Sequence, residues 1–150
     1  MDKLIEALKQ QHWTIRSECD ALIKFCGSGA DVGGGLEKLW GERSNFIFHI
    51  NNFKKILLPH LALEDAELYP TLVKSKDKKI KETATKYSDE MKLISKRTVS
   101  FFETYAHLKI DDFLQNENFK LDLNTVITII KRRIDLEEME LYPLYNKVKK

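Results

Sequence analysis

Leu63-Glu64-Asp65-Ala66-Glu67-Leu68-Tyr69-Pro70 returns 73 residues later as Leu136-Glu137-Glu138-Met139-Glu140-Leu141-Tyr142-Pro143. The two octapeptides differ only at Asp65/Glu138, where an acid is kept, and at Ala66/Met139. A phrase this long, repeated within 150 residues, implies two helical hairpins built to one plan. Four residues before Glu64 stands His60. Residues i and i+4 share one face of a helix, so this imidazole and this carboxylate can reach toward a single point. That donor pair suits zinc, iron or manganese.

Outward from the repeat, the apolar spacing is helical throughout. Leu4, Leu8, His12, Ile15, Cys19, Leu22 and Cys26 step by three and four residues, the seam of an amphipathic helix. Five of the six glycines then fall between Gly27 and Gly35, which predicts a loop. A second pattern runs from about Leu36 to about Lys74 through Phe46, His49, Phe53, Ile56 or Leu57, His60 and Glu64. Pro59 lies inside it and is expected to kink the helix just before His60. A third, from Asp77 to His107, carries Ile80, Ala84, Tyr87, Met91, Ile94, Thr98, Phe101 and Tyr105. Residues 108–120 read as a connection, and a fourth helix from about Leu121 to Val148 carries Leu123, Ile127, Ile130, Ile134, Glu137, Leu141 and Leu144. The β-branched run Val126 to Ile130 leads straight into a helical charge pattern and does not read as a strand. The expected fold is all-α: one domain over residues 1–150, an up-down-up-down four-helix bundle made of two repeated helical hairpins.

Composition narrows the function. Hydrophobic residues make up 43% of the chain and charged residues 32%, with a formal net charge of +2. So balanced a chain has no broad field with which to hold a polyanion, so nucleic acid is not an expected partner. The basic runs Lys74 to Lys81 and Lys147 to Lys150 read as solvated turn and tail. Cys19 and Cys26 lie two helical turns apart, too far to bond to each other, and read as small core residues of a reducing compartment. No apolar run approaches membrane-spanning length and no leader opens the chain, so the expectation is a cytoplasmic protein without a membrane partner.

Polar residues in a bundle seam need a reason, because burying them unpaired costs a few kcal/mol each. The seam holds His12 on the first helix, His60 and Glu64 on the second, and Glu137 on the fourth. A lone seam histidine is more often a hydrogen-bonded core residue than a ligand; His49 is assigned to that class, and His107 to an exposed helix end. Glu64 and Glu137 occupy equivalent places in the repeat, which brings both carboxylates near the bundle axis. There they repel unless a cation or a proton lies between them.

These residues carry a resemblance. Pro59-His60-Leu61-x-x-Glu64-Asp65-x-x-Leu68-Tyr69-Pro70 resembles the second-helix motif of the hemerythrin-like, or HHE cation-binding, family. His12-x-x-Ile15 resembles its first-helix motif, and Leu136-Glu137-Glu138-x-x-Leu141-Tyr142-Pro143 its fourth. The resemblance spans nearly the whole chain. It implies a four-helix bundle around a non-haem di-iron centre, with histidines from all four helices and two bridging glutamates. Members carry oxygen, sense oxygen or iron, or protect against nitric oxide and oxidative damage.

The chain departs from that pattern twice. Four residues before Glu137, where the family has a histidine, stands Arg133, whose guanidinium offers only donors and cannot be a ligand. In the third helix Glu90 stands where a histidine is expected. The candidate ligands are therefore His12, His60, Glu64 and Glu137, with Glu90 a weaker fifth. If Glu64, Glu90, Glu137 and Arg133 all faced inward, the site would carry a formal −2, which one divalent ion cancels. Arg133 would then hold the place of a second metal, pairing with Glu137 or Glu64. An inward Arg16 would reduce the deficit and favour a salt-bridged bundle without metal.

Two functions follow. One is a hemerythrin-like protein binding iron or another divalent metal, at most one per chain, sensing or storing iron or a small diatomic ligand. The alternative is a degenerate, metal-free bundle acting as a structural or interaction module. An oxidase of the wider carboxylate di-iron class needs a glutamate-x-x-histidine pair on two helices, and no such pair is present. A histidine phosphotransfer bundle needs an exposed histidine on a basic surface, and acids follow His60. With no nucleophile motif or phosphate-cradling loop, the expectation is a binding protein, not an enzyme.

Overall fold

In a computed structural model of the chain, residues 2–28, 36–106 and 117–149 are described, the side chains of 25–28, 36–45 and 117 excepted. The described elements are helices: α1 (Lys3–Ser28), α2 (Leu36–Leu63), α3 (Tyr69–Val73), α4 (Lys78–Thr104), α5 (Glu117–Leu136) and α6 (Tyr142–Lys149). Single π-helical turns, Glu64–Leu68 and Glu137–Leu141, splice α2 to α3 and α5 to α6. The six segments therefore form four rods, each packed on its sequence neighbour, with α1 also packed on α5 to close the ring. This is the expected all-α bundle. Among the described residues, no helix is long and apolar enough to cross a membrane.

The seams read from the sequence are the core. Leu8, Ile15, Cys19 and Leu22 of α1 are fully buried, facing Phe46, Phe53 and Leu57 of α2, Ala84, Met91 and Phe101 of α4, and Leu123, Ile127, Ile130 and Ile134 of α5. Each large apolar side chain so placed contributes ~1.5–3 kcal/mol relative to exposure. Asp77 starts α4 by accepting hydrogen bonds from the backbone N–H groups of Lys79 (2.9 Å) and Ile80 (3.3 Å), satisfying donors that the first turn leaves orphaned.

Several expectations change. Gly27 and Ser28 end α1 instead of opening the loop, while Gly29 to Gly35, His107 and the connection over 107–116 lie outside the described residues, as does the side chain of Cys26. The fourth rod begins at Glu117, ahead of Leu121. Pro59 leaves α2 unbroken. The irregularities come further on, just before Pro70 and Pro143. A proline ring collides with the carbonyl four residues back, here of Ala66 and of Met139. Widening that turn to i→i−5 hydrogen bonding, Tyr69 N–H to Glu64 O and Tyr142 N–H to Glu137 O, relieves the collision.

Candidate metal centre

The π turns decide which side chains meet. An i→i−5 hydrogen bond sets residue i+5 nearly over residue i, where a regular α-helix would carry it well around the axis. Tyr69 is thereby brought to the same side as Glu64, and Tyr142 to the side of Glu137. One ordinary α-turn earlier, His60 lies over Glu64.

His12, His60, Glu64 and Glu137 converge: each offers one ligand atom, and these atoms all lie within 4.8 Å of one another. All four side chains are buried. His60 Nε2 stands 3.2 Å from Glu64 Oε1, and His12 Nε2 stands 3.3 Å from Glu137 Oε1. The two imidazoles lie edge to face, 4.7 Å between centroids.

Outside this ring a second set of groups fixes its orientation. His60 Nδ1 lies 2.6 Å from Gln11 Oε1, an acceptor, so Nδ1 carries the hydrogen and Nε2 presents its lone pair inward. His12 Nδ1 lies 3.2 Å from the Glu138 carboxylate, again directing Nε2 inward. Histidines that ligate metals characteristically donate their other N–H in this manner. Arg16 bridges Glu138 (2.9 Å) and Asp135 (2.6 Å) at the rim; it does not point into the site.

Arg133 is only 4% exposed and enters the interior from α5. Its Nη2 donates at 2.6 Å both to Tyr69 Oη and to the backbone carbonyl of Tyr87, and the Tyr87 ring lies 4.7 Å from the guanidinium carbon. Tyr69 Oη in turn donates to Glu137 Oε2 at 2.7 Å. The expected direct arginine–carboxylate pair is therefore not formed. Arg133 Nε is 3.9 Å from Glu137, too long for a hydrogen bond, and the tyrosine carries the contact. Glu90, the fifth candidate, stands apart from the four: it is 47% exposed and touches Arg133 Nη1 at 3.4 Å. Its place at the flank of the α4 seam keeps it at the rim. His49, expected in the core, is half-buried and pairs at 2.6 Å with Glu18, whose other oxygen accepts from Asn52.

The electrostatics match a cation site. Burial pushes the Glu64 carboxyl well above its usual range, and the neighbouring Glu137 charge adds to the effect. Burial also works against the Glu137 carboxylate, but the adjacent His12 and hydrogen bonds from Glu64 and Tyr69 hold it below its usual value. Two carboxyl groups in contact thus share one proton, as like charges in one site must. Burial, with His12 beside it, lowers His60 to about 4, so its imidazole is neutral near pH 7.

The donor set fits a metal ion by a direct observation. His60 Nε2 and Glu64 Oε1 are buried with no hydrogen-bond partner, although they lie 3.2 Å apart. Both are lone-pair atoms aimed at the same space, and an orphaned buried pair of that kind is rare in a settled interior. A cation between them satisfies both. Two imidazole nitrogens and two carboxylates are an established combination for iron, manganese or zinc.

The chain matches the hemerythrin HHE cation-binding domain over residues 3–145, and it belongs to that family. No curated protein and no solved structure matches it. Family membership implies a metal ion as partner, and the cluster of His12, His60, Glu64 and Glu137 could hold one. Sequence reasoning missed Tyr69, Tyr142, Gln11 and Glu138. The two tyrosines had a signal, since both belong to the repeated octapeptide.

Proposed function

We propose that this protein binds a single metal ion, iron or another divalent cation, through His12, His60, Glu64 and Glu137. The observation that carries this reading is the orphaned pair His60 Nε2 and Glu64 Oε1. Arg133 supports a count of one: with Tyr69 it occupies the flank of Glu137, and it cannot ligate. Bound iron would supply an open coordination position for a small diatomic ligand, which suits sensing or storage without turnover. The chain's own groups do the rest. Gln11 and Glu138 orient the imidazoles, Tyr69 and Arg133 hold Glu137, and the apolar seam keeps water out. The buried, unpaired Cys19 thiol supports a reducing, cytoplasmic setting.

A second reading, a metal-free interaction module, is favoured by Arg133 itself, whose charge offsets one of the two buried carboxylates. Elemental analysis after anaerobic reconstitution decides between them. One ion per chain, lost in His60→Ala, is the expected result. A wild-type protein that takes up neither iron(II) nor zinc at micromolar concentration gives the case to the metal-free module.

A further inference from the structure

The two repeat tyrosines occupy equivalent places but meet different surroundings. Tyr69 Oη is used twice, accepting from Arg133 Nη2 at 2.6 Å and donating to Glu137 Oε2 at 2.7 Å. It is drawn to the arginine side of Glu137. Among the described residues, no arginine hydrogen bond reaches Tyr142 Oη. Its Oη lies 3.0 Å from His12 Nε2 and 3.4 Å from Glu64 Oε2, so it borders one nitrogen and one carboxylate of the four-residue cluster. Its ring is buried and stacks on His12 at 5.4 Å with an interplanar angle of 11°, which holds the oxygen in that place. The π turn Glu137–Leu141 aims it there.

We propose that Tyr142 is a fifth ligand of the metal centre, binding as a phenolate and favouring a trivalent cation of the ferric class over zinc or iron(II). The inference rests on the metal-binding reading above and adds the ion's preferred charge. On binding, the Oη–H bond breaks and an Oη–metal bond forms; the phenolic proton and the one shared by Glu64 and Glu137 both leave to solvent, with no change of oxidation state. Two carboxylates and one phenolate then carry three negative charges, equal to the charge of the ion, while Arg133 keeps Glu90 as its counter-charge at 3.4 Å. Hard anionic oxygen donors prefer hard, highly charged cations. Arg133 thus makes the site asymmetric, pinning one repeat tyrosine and leaving its twin for the metal.

The test loads wild type, Tyr142→Phe and Tyr69→Phe with ferric citrate and, separately, with redox-inert gallium(III). Metal per chain, visible absorption with resonance Raman, and the ultraviolet difference band of tyrosinate are read. Wild type should show a phenolate-to-ferric charge-transfer band with enhanced ring modes, and a tyrosinate band with gallium; Tyr69→Phe should keep both bands per metal bound, even where losing the hold on Glu137 lowers its metal content. Tyr142→Phe should still load but lose both bands, and its preference for ferric ion over zinc should fall at least tenfold. If Tyr142→Phe does not fold, Tyr69→Phe decides, because among the described residues Tyr69 is the other phenol in contact with the cluster: bands kept in it belong to Tyr142, and bands lost from its bound metal overturn the proposal. Wild type that holds ferric ion without the band, or bands that survive in Tyr142→Phe, would overturn the proposal while leaving the metal site standing. Wild type that holds no metal would overturn the metal-binding reading, and this inference with it.

Discussion

Tyr69 and Glu137 are joined by a 2.7 Å hydrogen bond across the repeat, from the first hairpin to the second. The reciprocal pair, Tyr142 to Glu64, is longer at 3.4 Å. Each half of the chain thus supplies the tyrosine that faces the other half's glutamate, and Arg133 tightens one of the two links by gripping Tyr69.

Tyr69→Phe should therefore weaken the fold through groups far apart in sequence. It leaves Glu137 Oε2 and one Arg133 hydrogen short of a partner, and an unsatisfied buried polar group costs ~1–3 kcal/mol. Urea unfolding of the metal-stripped protein measures this. A loss within ~0.5 kcal/mol, the range usual for surface changes, would mean that Arg133 reaches Glu137 unaided.

Arg133→Ala leaves the buried Tyr69 hydroxyl and the Tyr87 carbonyl without their donor and should destabilise the stripped protein by ~1–3 kcal/mol. Arg133→His restores a nitrogen ligand four residues before Glu137 and should raise the metal content from one toward two per chain. Two irons per chain in the natural sequence, seen as a diferric charge-transfer band, would refute the count of one.

Gln11→Ala should loosen His60 without touching the ligand set. Removing such an outer partner typically lowers metal affinity 10–100-fold. Competition against a chelator of known affinity gives the number, and an unchanged affinity would show that the 2.6 Å contact with His60 Nδ1 does not set its orientation.

Acid should destabilise the stripped protein through His60. Burial lowers its pKa from 6.5 to about 4, so as pH falls the unfolded chain takes up a proton that the folded chain refuses. Stability is then lost between pH 6.5 and about 4, by roughly 3 kcal/mol in all. Glu64 acts in the opposite sense, since its raised pKa favours the fold when protonated and that benefit fades as pH rises. Comparing wild type with His60→Leu isolates the histidine: melting temperatures of the variant should lack the acid-side fall. The same slope in both proteins would rule His60 out as its source.

Much of this architecture was legible in the chain. The seams of Leu8, Ile15 and Leu22, or Leu123, Ile127 and Ile134, are long and strictly periodic, and burial follows them. His60 with Glu64 could be paired from spacing alone. Glu90 could not be placed, because a residue at the edge of a stripe turns inward or outward with a small rotation of its helix. Arg133 was correctly sent to the interior but given the wrong partner, since the tyrosine that receives it comes from another rod. The π turns were hidden for a related reason. A 3.6-residue pattern carries no mark of one widened turn, and the only sign was Tyr-Pro at the end of each repeat. Pro59 carries the same chemistry and leaves its helix intact, so proline alone would have misdirected the reading.

Away from the polar cluster, Phe46, Phe53, Phe101, Phe102 and Phe119 interlock, with Phe101 and Phe119 stacked at 5.7 Å and Phe53 tilted against Phe102 at 5.9 Å. These five rings carry no charge and come from three rods, so their hold is indifferent to what lies between the carboxylates. Backbone amides around it should exchange with deuterium most slowly, and those near His60 and Glu137 should open sooner. Such an order of exchange would let the bundle fold without its ion and receive it afterwards.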